Sequence, residues 1–198
     1  MEPVIFSRSV SLDRILLVPR WSGRRDSDFY PWLGRTLAER GWRGELEVVS
    51  LRPPDAPDLA ATVEAVRGRL APPARASRTL LIGHSVGAQA AIRALAEMPP
   101  GIEVAALLGV AAWWTVDDPW PAIEPWIETP FDWSRARSAA RRRVVMLSTN
   151  DPFTADADRT RRLFEERLAA DVRIQPEAAH FNATEQPSIL ALVLDLLA

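Results

Sequence analysis

The chain has 198 residues, 47% of them hydrophobic and 25% charged, and a formal net charge of −2. A chain of this length fits one domain with a sizeable core, and near-neutral charge without a basic aromatic stripe speaks against nucleic-acid binding. Cysteine is absent, which excludes disulfides, thiolate catalysis and Cys-ligated zinc.

From the start, Met1-Glu2-Pro3-Val4-Ile5-Phe6-Ser7-Arg8 lacks the apolar core of a leader, and no stretch is long enough to span a bilayer. The expectation is a cytoplasmic protein with no membrane partner. Apolar, β-prone runs predict strands at Arg14–Pro19, Glu45–Leu51, Thr79–Gly83, Val104–Ala111, Arg143–Ser148 and Val172–Gln175. Between them, helices are predicted at Phe29–Arg40, Leu59–Leu70, Val86–Met98, Ser134–Arg141 and Asp156–Ala169, with a last one at Pro187–Leu197. The loops around Pro53–Pro57 and Pro72–Pro73 read as connectors. Regular alternation of strand and helix predicts an α/β domain over residues 1–198, with a six-stranded, mostly parallel sheet and helices on both faces.

The third strand runs into Gly83-His84-Ser85-Val86-Gly87, and an alanine-rich helix former follows. Strand, Gly-x-Ser-x-Gly, helix is the context of a nucleophile elbow. The glycines keep side chains out of a crowded crossing, and Ser85 is presented at a helix N-terminus that favours negative charge. All 24 basic residues are arginine, so mechanisms that need a lysine (P-loop phosphate binding, a Schiff base, Ser-x-x-Lys acylation) are excluded.

A serine nucleophile needs a base, and the chain has two histidines. His84 precedes Ser85 in the strand, so its side chain is expected to point away and support the elbow. His180 lies in Ala178-Ala179-His180-Phe181-Asn182, in the loop after the last strand, and is the expected base. Asp151 follows the fifth strand in Thr149-Asn150-Asp151-Pro152-Phe153 and is the expected acid; Asp117 and Asp118, past the fourth strand, compete with it. The order Ser85, Asp151, His180 is that of the α/β-hydrolases. The oxyanion hole calls for the N–H of Val86 and one from the loop Val18-Pro19-Arg20-Trp21-Ser22-Gly23. Pro19 has no N–H, so Arg20 or Trp21 must donate, and Trp21 is preferred.

Residues 113–133 stand apart. They hold five tryptophans (Trp113, Trp114, Trp120, Trp126, Trp133), five acids (Asp117, Asp118, Glu124, Glu128, Asp132) and four prolines. Proline density argues against a long helix, and the tryptophans suit a lid or an apolar pocket wall. Trp21, Trp113, Trp114, Phe153 and Phe181 are the expected pocket residues. If the acids faced the pocket, they would disfavour an anionic substrate.

Val18-Pro19 with Trp32-Leu33, the elbow, Pro130-Phe131-Asp132-Trp133, Ser148-Thr149-Asn150-Asp151-Pro152-Phe153 and His180-Phe181-Asn182-Ala183-Thr184-Glu185 together resemble the small serine hydrolases of the retinoblastoma-binding protein nine type, a branch of the α/β-hydrolases. The resemblance covers most of the chain and carries the acid and base roles onto Asp151 and His180. It implies hydrolysis of a small acyl ester, amide or thioester by an acyl-enzyme, with no metal or organic cofactor. Arg20 departs from it, standing where a glycine is expected. The retinoblastoma-pocket motif needs a cysteine, so that partner does not carry over. Acyl transfer to an acceptor other than water, or a hydrolase-fold binding protein using the tryptophan face, are the alternatives.

Overall fold

Ile15, Leu16 and Leu17 in the first strand, and Leu80, Leu81 and Ile82 in the third, are fully buried in the computed structural model, which describes residues 12–198. Strands buried on both sides need a covering layer on each face, and that requirement sets the architecture. The strands are β1 (Arg14–Val18), β2 (Glu45–Val48), β3 (Thr79–His84), β4 (Val104–Val110), β5 (Ala140–Ser148) and β6 (Asp171–Gln175). They form one six-stranded sheet in the order β2-β1-β3-β4-β5-β6. Every pairing is parallel, so the sheet is wholly rather than mostly parallel.

The helices are α1 (Tyr30–Glu39), α2 (Leu59–Leu70), α3 (Pro73–Ala76), α4 (Val86–Ala96), α5 (Glu124–Glu128), α6 (Trp133–Ser138), α7 (Ala157–Leu168) and α8 (Pro187–Leu197). Side chains alternate across the strands as the pleat requires. Ile15, Leu17, Leu80, Ile82 and Leu108 pack with Leu33 and Leu37 of α1 and Ile189 and Val193 of α8. Leu16, Val18, Leu81, Leu107 and Val145 face the other way, toward Val66 of α2, Ile92 of α4 and Phe164 of α7.

Most expected boundaries shift by about one to three residues, and the shift between α6 and β5 has a tertiary reason. The helix expected over Ser134–Arg141 ends at Ser138, and β5 begins at Ala140, because Ala140 and Arg142 pair with Val104 and Ala106 of β4. The connector at Pro72–Pro73 contains α3, which Pro73 opens in the position where a missing N–H costs nothing. The leader-free reading of Met1–Arg8 lies outside the described residues. Among the described residues, no helix is long and apolar enough to cross a membrane.

The chain leaves β1 for the edge strand β2 and then returns across β1 to β3. The direction of winding reverses between β1 and β3, and a crevice opens beyond their carboxyl ends. Val18 pairs with Gly83 there, so the β1–α1 loop and the elbow leave the sheet side by side.

Candidate active site

Ser85 has φ 55° and ψ −120°, a region that non-glycine residues rarely occupy. Close packing on both sides holds it there. A Cβ on Gly83 would lie 2.4 Å from Ala88 Cα, and one on Gly87 would lie 2.2 Å from the Val18 carbonyl oxygen. Helix α4 can therefore press against β3 and the β1–α1 loop only because both positions lack a side chain. The Ser85 N–H donates to the Val110 carbonyl at 2.9 Å, which ties the elbow to β4.

The loops after β5 and β6 are stitched together. Ser148 Oγ accepts the Ala178 N–H, Thr149 Oγ1 the Glu177 N–H and Asn150 Oδ1 the Ala179 N–H, at 3.0, 3.1 and 2.7 Å. Glu177, Ala179 and Phe181 all have positive φ, and this winding turns His180 back toward β5. His180 Nδ1 meets Asp151 Oδ2 at 2.8 Å, with both side chains buried. Asp151 Oδ1 accepts the Phe153 N–H at 3.0 Å, and the Phe153 ring stands edge-on to His180 at 4.7 Å. The rival acid Asp117 is exposed and braces the neighbouring loop instead, accepting the Ala155 N–H at 2.7 Å. No hydrogen bond joins Ser85 to His180; Ser85 Oγ instead accepts the Trp113 indole N–H at 3.4 Å.

His84 supports the elbow from the far side. Its Nδ1 lies 2.8 Å from the Tyr30 hydroxyl, and its Nε2 lies 2.8 Å from the His180 carbonyl oxygen. Burial, and then the charge of His180, hold the His84 pKa well below the usual histidine value, while burial pushes the Tyr30 phenol up. The neutral pair therefore has one arrangement: Tyr30 O–H donates to Nδ1, and Nε2–H donates to His180. Tyr30 also accepts the Arg20 N–H at 3.2 Å. That contact occupies Arg20, while Ser22 and Gly23 donate to Pro54 and Arg20. The N–H groups of Trp21 and Val86 have no hydrogen-bond partner among the described residues.

A cavity of about 440 Å³ opens over these groups and is lined by Ser85, Val86, His180, Trp21, Trp113 and Phe153, together with Arg20, Ser22, Val116, Trp120, Ile123 and Asn182. Two expected pocket residues are elsewhere. Trp114 packs between Phe131 and Phe164 under the Arg167 guanidinium. Phe181 is fully buried in the layer of α1 and α8, because its neighbour His180 takes the direction of the cavity. The acids of residues 113–133 are all exposed and absent from the lining, so the expected bias against anions has no basis there.

Residues 113–133 are pinned to α4. Gln89 Nε2 donates to the Trp113 carbonyl, and the Arg93 guanidinium donates to the Trp126 and Thr129 carbonyls, both at 2.7 Å. Burial pulls the Arg93 pKa down to about 10, still charged at neutral pH. Sequence reasoning missed Tyr30, Val116 and Ile123, whereas Trp120 lines the cavity as the pocket-wall expectation for the tryptophan segment required. Tyr30 is the only tyrosine of the chain, and a buried hydroxyl needs a partner, but nothing local names it. Val116 and Ile123 are apolar interruptions among acids, a pattern legible in the sequence. No cluster of three or more His, Asp or Glu side chains suited to a metal ion occurs among the described residues.

A parallel sheet whose winding reverses between β1 and β3, with serine, acid and histidine loops at its carboxyl edge in that chain order, defines an α/β-hydrolase fold. The serine hydrolase family profile matches residues 15–198, and the chain belongs to that family, enzymes of hydrolase type. Among solved structures, the ydeN gene product of B. subtilis superposes with a TM-score of 0.79 at 16% identity, over 93% of this chain and 98% of that one. A structure from the study of carboxylesterases of the Thaumarchaeon Nitrososphaera gargenis gives 0.71 at 12%, over 98% and 97%. The RedJ thioesterase of prodiginine biosynthesis in Streptomyces coelicolor gives 0.62 at 16%, over 99% and 90%. No curated protein matches the sequence.

Proposed function

We propose that the protein cleaves a small acyl ester, amide or thioester through a covalent acyl-enzyme on Ser85. The observation that carries this reading is the buried 2.8 Å contact of His180 Nδ1 with Asp151, on the cavity that a strained Ser85 also lines. With Nδ1–H donated to the carboxylate, Nε2 is left to accept a proton. Ser85 Oγ attacks the acyl carbon as its proton passes to Nε2, and the bond to the leaving group breaks as that group takes the proton. Water then attacks the acyl-serine, gives its proton to Nε2 and releases the acid, and Ser85 regains its hydrogen. The unpartnered N–H groups of Val86 and Trp21 serve as oxyanion donors. Arg93 and Gln89 support the reading of residues 113–133 as a fixed pocket wall. The same fold carries a thioesterase, so thioesters belong beside esters and amides in the first assay panel.

Covalent labelling by a fluorophosphonate, read by intact mass, tests the reading. The expected result is one adduct on the wild type and none on Ser85→Ala, with labelling of His180→Ala and Asp151→Asn slowed by about 10²–10⁴. An adduct that survives Ser85→Ala, or rates unchanged by the other two, would overturn it.

A further inference from the structure

We propose that Val116 and Ile123 close the inner end of the cavity into an uncharged pocket for an acyl chain of about eight carbons, each heavy atom being given about the 30 Å³ that a liquid water occupies. The proposal rests on the acyl-hydrolase reading above. The lining grades from wet to dry: Phe153 is 39% exposed, and Trp21 and Trp120 are half-buried, so these three form the mouth. Trp113, Val116 and Ile123 are 2%, 5% and 1% exposed, so they form the inner end. Eight carbons take up roughly 240 Å³ at that packing, which leaves room in about 440 Å³ for the ester group and part of the leaving group.

Charge at the inner end has nothing to meet. The acids of residues 113–133 face solvent. Arg20 lines the cavity, yet its Nε and Nη2 donate to Asp28 at 2.8 and 3.1 Å and its Nη1 to the Trp21 carbonyl at 2.8 Å. With its charge offset by Asp28, it is not a receptor for a substrate carboxylate. A charged acyl group of either sign would be stripped of water without gaining a partner, so the pocket selects neutrality rather than one sign.

The test is kcat/KM for p-nitrophenyl esters from acetate to dodecanoate, with octanoate-sized esters ending in a carboxylate or a trimethylammonium group. Expected is a rise of about three- to fourfold per methylene up to about eight carbons, then a plateau. Both charged esters should be at least about tenfold slower than octanoate. Ile123→Trp should move the plateau to shorter chains by about two carbons and Ile123→Ala to longer ones, following the volume change at the inner end. Labelling by a small fluorophosphonate identifies which variants keep an intact site, and either folded variant suffices. A flat chain-length profile, a plateau unmoved in a labelled variant, or a charged ester matching octanoate would overturn the pocket and leave the acyl-hydrolase reading standing. A wild type that neither labels nor turns over any ester would overturn both.

Discussion

Tyr30 and His84 join the two loops on which the candidate site is built. Arg20 N–H donates to the Tyr30 oxygen, Tyr30 donates to His84, and His84 donates to the His180 carbonyl, a directional chain from the β1–α1 loop to the loop that carries His180. It works only while His84 is neutral, which has a consequence for stability. The unfolded chain protonates this histidine near its ordinary value of about 6.5, whereas burial and His180 keep the folded-state pKa well below that. Below pH of about 6.5 the unfolded state therefore binds a proton that the folded state refuses. Stability is complete above that pH and falls as pH drops toward the folded-state pKa, by at most about 1.4 kcal/mol per unit from this group. Urea unfolding at pH 7.5, 6.5 and 5.5 should show the decline, and His84→Gln should flatten it; a slope equal in both proteins would exclude His84 as its source.

Helix α4 shows how one element sets the site. Its first turn sits against the β1–α1 loop through Gly87, and deeper along it Gln89 and Arg93 hold the tryptophan wall. The alanine-rich sequence explains the helix, and the missing side chains explain how near it comes. Gly87→Ala would set a Cβ 2.2 Å from the Val18 carbonyl, so the loop bearing Trp21 must shift. The expected outcome is a loss of about 10² in kcat, the size of a lost oxyanion donor. Gly68→Ala on α2 meets nothing within 4 Å; it should leave activity unchanged and raise stability by about 0.5–1 kcal/mol. Steady-state kinetics and thermal melts on the two variants check both, and equal effects would show that close approach is not what Gly87 provides.

Over the whole molecule, two apolar layers share one sheet. Ile189 of α8 and Ile92 of α4 lie in opposite layers and are both buried. Ile189→Val and Ile92→Val should each cost about 0.5–1.5 kcal/mol. If the sheet unfolds as one cooperative unit, the double variant should lose the sum within about 0.5 kcal/mol. Chemical denaturation followed by two probes would check this, and separate transitions would reveal layers that unfold independently. The site gains from this arrangement: loops after β1, β3, β5 and β6 converge at one edge because parallel strands all end there.

Periodicity and motif chemistry are local, so the sequence alone determined the strand–elbow–helix around Ser85, the alternation that demands a parallel sheet, and the order of Ser85, Asp151 and His180. With only two histidines and no cysteine or lysine, few partners for that serine were left to consider. Direction and partnership are not local. Only the tertiary structure decided that Phe181 and Trp114 turn into the core, that the acids of residues 113–133 face water, and that Ala140 pairs with β4 rather than extending a helix. It also decided which N–H of the β1–α1 loop stays free, because that depends on a tyrosine carried by α1. A residue's type limits which bonds it can make; what packs across from it selects the one it makes.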